Sequence, residues 1–294
     1  MNQVICFVAD QNYFDHAKYV LVNCKRQGGW KGDFCIITPG GGASDFQHRG
    51  IHVYEVKGSW DFMVKFHAFT PFFHRWDECL LLDLDIVVQG PLQKVFDGLR
   101  SRLPKLLANQ EDGDTLSALK HWDEKREEHT DAYLRVQELY PHVTNKMFNM
   151  AILFFRPKSL PPDTQERLRQ LHEEFKEINP TCADQMLVNL LLYDQLEEAG
   201  KDYWTFMGND WPCNRVKSVG RGWRGDEEPV ILHYTRWMAP WIVKYPPEGD
   251  ALKGLLALGL PPETGGYRNH RLNVVCHEFY AECVKAFNEE FPIV

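Results

Sequence analysis

The chain has 294 residues, enough for one large domain or two smaller ones, each with a sizeable hydrophobic core. Hydrophobic residues make up 44% of the sequence and charged residues 25%, which excludes a disordered or fibrous protein. The net charge of −8 offers no positive field to a nucleic-acid backbone, so polymeric nucleic acid is not an expected partner.

The sequence predicts neither a membrane span nor an oxidising compartment. No run approaches the roughly 20 apolar residues that a transmembrane helix needs, and the first apolar run, residues 4–9, lacks a basic leader. The 8 cysteines are scattered without a CxxC pair, which favours buried, reduced thiols over disulfides or a zinc site. We therefore expect a cytoplasmic protein.

Short β-rich runs alternate with helical patterns along the first half of the chain. Strands are predicted at residues 4–9, 34–38, 51–56 and 79–82, with helices at 13–25 and 62–74. Further strands are predicted at 150–155 and 230–233, and further helices at 164–178, 183–196 and 272–287. This rhythm predicts an α/β fold with a mostly parallel central sheet flanked by helices.

The sequence contains no internal repeat and no long linker. We expect one α/β domain over residues 1–250 and a C-terminal helical extension over residues 251–294 that packs on it. The polar stretch 110–130 is less regular, and its charge run at 123–128 is typical of a solvated helix face or a mobile loop.

Two aspartates, Asp83 and Asp85, follow the buried strand at 79–82, where ligands of such sheets bind. A divalent cation would remove the cost of desolvating their carboxylates and could grip a diphosphate. The spacing alone is weak evidence, because roughly one such pair is expected by chance. Asp112 and Asp114 have the same spacing in a polar stretch, where a solvated loop explains it. The apolar context favours metal binding by Asp83 and Asp85 over a structural cap or an ion pair.

A third candidate ligand, His233, ends the apolar strand predicted at 230–233. A histidine at such a position is more often a hydrogen-bonded packing residue, so it counts as a ligand only if the strand end lies near Asp85. Two carboxylates and one imidazole favour Mn²⁺, with Mg²⁺ as the alternative.

The order of these residues resembles the retaining GT-A glycosyltransferases of the family 8 type, which include glycogenin and the bacterial lipopolysaccharide galactosyltransferases. The likeness extends over most of residues 3–241. It implies a GT-A catalytic domain over residues 1–250 that moves a hexose from a nucleotide sugar, UDP-linked by likeness, to a glycan or other hydroxyl acceptor. It also implies retention of the anomeric configuration.

The resemblance assigns donor-binding roles in the first half of the chain. Asp10 and Asn12 would hydrogen-bond the nucleoside and Tyr13 would stack on the base, although Asp10 or Asn12 could equally cap a helix. Lys65 would lie near the diphosphate or the sugar. Asp83 would contact the donor as part of the metal-binding motif.

In the second half, the resemblance implies three catalytic candidates and the last metal ligand. Asn149 would contact the donor sugar, in a segment where Ala151 replaces the family's usual glycine. Asp184 and Gln185 would lie against the sugar ring near the anomeric carbon. His233 would complete the metal site with the two aspartates.

The tail after His233 departs from the family at two positions, although Pro240 and Trp241 still resemble it. Arg236 and Ala239 stand where the family has a glycine and a diphosphate-binding lysine, so one cation contact to the leaving group is missing. Arg236 or Lys244 could replace that contact, and an arginine would do so with a bidentate guanidinium group.

Two other functions remain open at this point. A sugar nucleotidyltransferase would need a Gly-rich, basic phosphate loop directly after the first strand, where this chain has Asp10 to Tyr13. A non-catalytic relative that binds nucleotide sugars or carbohydrate is made credible by Ala239. Manganese-dependent UDP binding without turnover would select that second alternative.

Overall fold

A computed structural model describes residues 1–39, 43–57, 62–88, 90–178, 183–200, 203–207, 230–234 and 270–293. The chain folds as two compact units that interleave along the sequence. The first comprises Met1–Gln11, Gly32–Asp83 and Phe96–Gly200, and the second comprises Asn12–Lys31, Leu84–Val95 and Lys201–Val294. The domain boundary expected at residue 250 stays a prediction.

The strands are β1 (Gln3–Val8), β2 (Asp33–Pro39), β3 (Ile51–Val56), β4 (Glu78–Leu82), β5 (Ile86–Val88), β6 (Leu106–Asp114), β7 (Lys146–Phe155), β8 (Leu196–Glu198), β9 (Trp204–Met207) and β10 (Ile231–Tyr234). In the described parts of the chain, the α-helices are α1 (Phe14–Arg26), α2 (Gln93–Leu99), α3 (Thr115–Trp122), α4 (Thr130–Leu139), α5 (Thr164–Phe175), α6 (Ala183–Leu191) and α7 (His270–Glu290). Short 3₁₀ helices connect them, among them Gln11–Tyr13, Phe62–Phe69 and Pro71–Arg75.

The first unit is built on a seven-stranded sheet in the order β3-β2-β1-β4-β7-β6-β8. Neighbouring strands in this sheet are parallel, except that β7 runs antiparallel to both β4 and β6. All five residues of β4 are buried, as expected for a strand covered on both faces. The predicted α/β fold with a mostly parallel sheet is therefore confirmed.

The antiparallel direction of β7 positions the loop that follows β4. The backbone N–H of Asp83 donates to the carbonyl oxygen of Ala151 at 2.7 Å. The first residue after β4 is therefore held beside the middle of β7.

Two local predictions differ from the structure. The helix expected at 62–74 forms two 3₁₀ helices, and the second begins at Pro71, which has no N–H to continue the first. The loop expected around Asp112 and Asp114 belongs to β6, because that strand pairs with β7 as far as Asp114. Asp114 then caps α3 by accepting the backbone N–H of Ser117 at 2.8 Å.

The second unit contains a three-stranded sheet in the order β5-β10-β9. The amide of Asn23 on α1 donates to the Val88 carbonyl at 2.8 Å and accepts the Val88 N–H at 2.7 Å, so it fixes β5 to α1. Helix α7 also packs on α1, where Arg26 pairs with Glu282 at 3.0 Å and with Glu290 at 2.8 Å.

Within the described residues, no helix combines the length and the apolarity needed to span a bilayer. The cytoplasmic location stays a prediction. The cysteines whose side chains the structure describes are buried free thiols, at positions 6, 24, 35, 79 and 283.

Candidate metal and donor site

The strand pairing of the second unit brings His233 to Asp85. In the antiparallel pair of β10 and β5, His233 lies opposite Ile86, the residue that follows Asp85. His233 is 4% exposed, and Nε2 of its imidazole lies 3.2 Å from Oδ1 of Asp85. The condition under which His233 counts as a candidate ligand is therefore met.

Asp83 completes this group from the same loop as Asp85, two residues earlier in the chain. Asp83, Asp85 and His233 each offer one ligand atom, and these three atoms lie within 4.8 Å of one another. The two carboxylates are partly exposed, at 32% for Asp83 and 31% for Asp85, whereas the imidazole is buried. The loop after β4 and the strand β10 thus assemble the ligand set expected from the sequence.

The geometry of Asp85 suits a divalent cation. Its Oδ1 atom is buried, yet it accepts no hydrogen bond from the described residues. Nε2 of His233 lies 3.2 Å away, but the two groups are not oriented for a hydrogen bond. Adjacent ligands of an octahedral ion, at about 2.1 Å from the metal, lie about 3 Å apart. The 3.2 Å between Asp85 and His233 fits two such ligands. Two carboxylates and one imidazole are a donor set that Mn²⁺ or Mg²⁺ can use.

Lys65 lies between two carboxylates of the first unit. Its Nζ is 2.6 Å from Oδ1 of Asp83 and 2.7 Å from Oδ2 of Asp184, and it donates to the Met150 carbonyl at 3.3 Å. Burial alone would lower the pKa of Lys65, but the carboxylates of Asp184 and Asp83 outweigh it and raise the pKa above its ordinary value. Lys65 is therefore a fixed cation beside a candidate metal ligand.

The amides of Asn149 and Gln185 meet at a third carboxylate, Glu111. Nδ2 of Asn149 donates to Oε1 of Glu111 at 2.6 Å and to Oε1 of Gln185 at 3.2 Å. Nε2 of Gln185 donates to Oε2 of Glu111 at 3.1 Å. The two predicted sugar-contacting amides thus form one hydrogen-bonded group.

Sequence reasoning missed Glu111, because the stretch beginning at residue 110 is polar and was expected to be irregular. The apolar run Leu106 to Ala108 was the available signal. It would have predicted a strand that places Glu111 near the carboxyl end, where ligands of such sheets bind.

Two further residues, Asn189 and Ala151, make hydrogen bonds next to this group of amides. Asn189 is fully buried, and its amide bonds both the N–H and the carbonyl of Phe148, at 2.8 and 2.7 Å, which holds α6 against β7. Ala151, which replaces the family's glycine, is 4% exposed and donates its N–H to Oδ1 of Asn149 at 2.8 Å.

The predicted nucleoside-binding segment follows β1. Asp10 precedes the 3₁₀ helix Gln11–Tyr13, which contains Asn12. Tyr13 is 48% exposed, and the centroid of its ring lies 5.5 Å from that of His16. Tyr13 itself occupies the N-cap position of α1 and makes no side-chain cap bond. The capping role considered for Asp10 or Asn12 stays a prediction. The predicted contacts to leaving-group phosphates, Arg236 and Lys244, lie outside the described residues, as does Ala239.

The fold and these residues define a GT-A type protein, and comparison with known families is more specific. The pattern of glycosyl transferase family 8 matches residues 54–243, well over half of the chain. The chain therefore belongs to glycosyl transferase family 8. The resemblance drawn from the sequence motifs is confirmed. No curated protein sequence matches the chain.

Solved structures share the fold at low sequence identity. The apo form of the glycosyltransferase GlyE of Streptococcus pneumoniae TIGR4 is 18% identical, with a TM-score of 0.57 over 97% of this chain and 64% of that chain. The galactosyltransferase LgtC, in complex with donor and acceptor sugar analogs, is 16% identical, with a TM-score of 0.54 over 90% of this chain and 99% of that chain. This chain thus spans about two thirds of the GlyE chain but nearly all of LgtC.

Proposed function

We propose that the protein is a hexosyltransferase that uses a UDP-linked sugar and a hydroxyl acceptor, such as a glycan, and retains the anomeric configuration. We further propose that it requires Mn²⁺, with Mg²⁺ as a weaker substitute. One observation carries this proposal. Within a chain that belongs to glycosyl transferase family 8, Asp83, Asp85 and His233 offer ligand atoms within 4.8 Å of one another.

These three residues would hold the cation, which supplies Lewis-acid stabilisation for the negative charge of a departing diphosphate. Lys65 would add a second positive charge next to the diphosphate, because its ammonium group lies 2.6 Å from the proposed metal ligand Asp83. We propose that Arg236 makes a further contact to the phosphates.

Cleavage of the bond between sugar and phosphate develops positive, oxocarbenium-like charge on the sugar. The oxygen atoms that can stabilise this charge belong to Asp184 and Gln185, at the start of α6, with Asn149 beside them. The Nζ atom of Lys65 lies 2.7 Å from Oδ2 of Asp184 and so forms an ion pair with this carboxylate. Lys65 thus contacts both Asp83, which we propose faces the phosphates, and Asp184, which we propose faces the sugar.

The nucleoside would bind at the end of β1. Tyr13 presents a half-exposed ring on which a base can stack, and Asp10 and Asn12 supply polar groups next to it in the chain. A planar aromatic beside carboxylate and amide groups suits a nucleobase, and the likeness of this segment to one that holds the uracil of a UDP-sugar favours a UDP-linked donor.

The function is tested by a panel of nucleotide sugars scored for slow donor hydrolysis, with Mn²⁺, with Mg²⁺ and with a chelator. We expect hydrolysis of at least one UDP-sugar that needs the metal and falls at least about a hundredfold in Asp85→Asn, because a ligand is lost. Asp114→Ala is the matched control, since Asp114 belongs to the other Asp-x-Asp pair and should keep full turnover.

Equal turnover by Asp85→Asn and the wild type would overturn the metal assignment. Absence of release from every donor, even with glycan acceptors added, would overturn the transferase. Manganese-dependent UDP binding without turnover would instead identify a non-catalytic relative.

A further inference from the structure

The carboxylate of Glu111 accepts hydrogen bonds from both Asn149 and Gln185. We propose that Glu111 is a positioning residue that fixes the orientation of the Gln185 amide, so that its oxygen and not its nitrogen is available to the donor sugar. This inference rests on the function proposed above, and it assigns a role to a residue outside the predicted site.

Sheet geometry brings the three side chains together. Glu111 on β6 lies opposite Met147 on β7, and Asn149 is two residues further along β7. Side chains two residues apart on a strand share a face of the sheet, so Glu111 and Asn149 are diagonal neighbours. Gln185 reaches them from the first turn of α6, which packs on β7.

The orientation of the Asn149 amide follows from a backbone group. Oδ1 of Asn149 accepts the N–H of Ala151 at 2.8 Å, and a backbone N–H can only donate. The NH₂ group of Asn149 must therefore face the other way. Its two hydrogens are directed to Glu111 at 2.6 Å and to Oε1 of Gln185 at 3.2 Å.

The orientation of Gln185 then follows from Glu111 and Asn149 together. An ionised carboxylate only accepts, so Glu111 requires the NH₂ group of Gln185 on its side. A flipped Gln185 would place its oxygen against the carboxylate of Glu111 and its NH₂ against that of Asn149. Both hydrogen bonds would be replaced by repulsive contacts.

The fixed orientation has a chemical consequence. Among the described groups, Oε1 of Gln185 accepts one hydrogen bond, from Asn149, and so retains a second lone pair. A preorganised oxygen of this kind stabilises developing positive charge without reorganisation during the reaction. Glu111 would thus act on the rate through Gln185 and not through donor affinity.

The test is the isosteric change Glu111→Gln, measured by donor hydrolysis with Mn²⁺ and by UDP binding. A glutamine can accept from only one of the two amides, so we expect kcat to fall about tenfold to a hundredfold. The donor KM, the affinity for UDP and the unfolding midpoint in urea should stay close to wild type. Glu138→Gln, an exposed change on α4, is the control and should alter none of these quantities.

A double-mutant cycle separates positioning from a structural role. If Glu111 acts through Gln185, Glu111→Gln should cause no further loss of kcat in a Gln185→Ala background. Glu111→Asp keeps an acceptor-only carboxylate and should lose less activity than Glu111→Gln, whether or not the latter folds well.

Additive losses in the cycle, a parallel loss of UDP affinity, or a larger loss in Glu111→Asp would each overturn the role of Glu111. Equal donor hydrolysis by the wild type and Glu111→Gln would also overturn the role of Glu111. The proposed transferase function would stand in that case. A wild type that releases sugar from no donor would overturn the proposed function, and with it this inference.

Discussion

Lys65 and Asp184 form an ion pair of 2.7 Å between a 3₁₀ helix and the first turn of α6, and the same ammonium group lies 2.6 Å from Asp83. The side chains of Lys65 and Asp184 are 14% and 19% exposed, so this contact is only weakly screened by water. The ammonium group of Lys65 therefore links the end of β4 to the start of α6.

Replacing Lys65 with methionine should destabilise the first unit. The change leaves Asp83 and Asp184 without their shared cation, and we expect a loss of about 2 kcal/mol in the free energy of unfolding. Donor hydrolysis should fall about a hundredfold, because the change removes the positive charge that we propose acts on the leaving group. Urea titration and the hydrolysis assay measure the two effects.

Lys18→Met is the control for Lys65→Met. Lys18 pairs with Asp15 at 3.3 Å, and the Asp15 side chain is 64% exposed, so the loss should stay below about 0.5 kcal/mol. Equal destabilisation by the two changes would contradict the account of Lys65.

The buried carboxylate of Asp123 should make the free energy of unfolding depend on pH in the acid range. Burial alone would raise the pKa of Asp123, but hydrogen bonds from Tyr133 and His129, at 2.5 and 2.7 Å, outweigh it and lower the pKa. A lowered pKa means that the unfolded chain binds the proton more tightly, so this contribution is complete above about pH 4 and is lost as the pH falls further.

Asp123→Asn tests this dependence by urea unfolding at several pH values. At pH 7 the variant should be less stable than wild type by about 1 to 2 kcal/mol, because a charged acceptor is replaced by a neutral amide. The difference should shrink below pH 4 as Asp123 becomes protonated in the wild type. A difference that is the same at pH 7 and pH 3 would contradict the assignment.

The second Asp-x-Asp pair should contribute to stability alone. Asp114 accepts both the N–H and the hydroxyl of Ser117, at 2.8 and 2.7 Å, at the start of α3. Removing such a cap in Asp114→Ala should cost about 1 kcal/mol in urea unfolding and leave Mn²⁺ binding unchanged. Weaker Mn²⁺ binding in this variant would show that the apolar context of Asp83 and Asp85 is not what distinguishes the two pairs.

Two buried asparagines offer a matched comparison. Asn23 bonds both backbone groups of Val88 on β5, and Asn189 bonds both backbone groups of Phe148 on β7. Each change to alanine leaves a backbone N–H and carbonyl unpaired and should cost about 2 to 3 kcal/mol.

Only Asn23→Ala should also weaken Mn²⁺ binding, because β5 begins directly after Asp85, whereas Asn189 holds α6 against β7 next to the residues proposed to contact the sugar. Calorimetric titration with Mn²⁺ and urea unfolding of both variants give the comparison. Equal Mn²⁺ affinity in the two variants would contradict the view that Asn23 holds the metal loop in place.

The apolar strands and the Asp83 and Asp85 pair could be predicted because their signals are local. β1, β2 and β4 are short, mostly apolar and mostly buried runs, and a strand buried on both faces needs no other signal. The prediction for His233 was conditional, because the pairing of β10 with β5 is what places its imidazole near Asp85. The sequence of either strand alone does not predict that register.

The relationships that the sequence did not predict depend on contacts between distant parts of the chain. Glu111 lies on a polar stretch of β6 that is held in the sheet by β7, so its own residues give a weak strand signal. The contacts of Lys65 with Asp83 and Asp184 join residues that are 18 and 119 positions away along the chain. Hydrophobic periodicity carries no information about such pairs.

Mn²⁺ binding measured by calorimetry in the presence of UDP tests the central claim most directly. We expect the wild type to bind one ion, and Asp85→Asn and His233→Ala each to bind it at least about tenfold more weakly, while Asp114→Ala binds like the wild type. Wild-type affinity in both Asp85→Asn and His233→Ala would show that these side chains do not hold the ion, and would contradict the account.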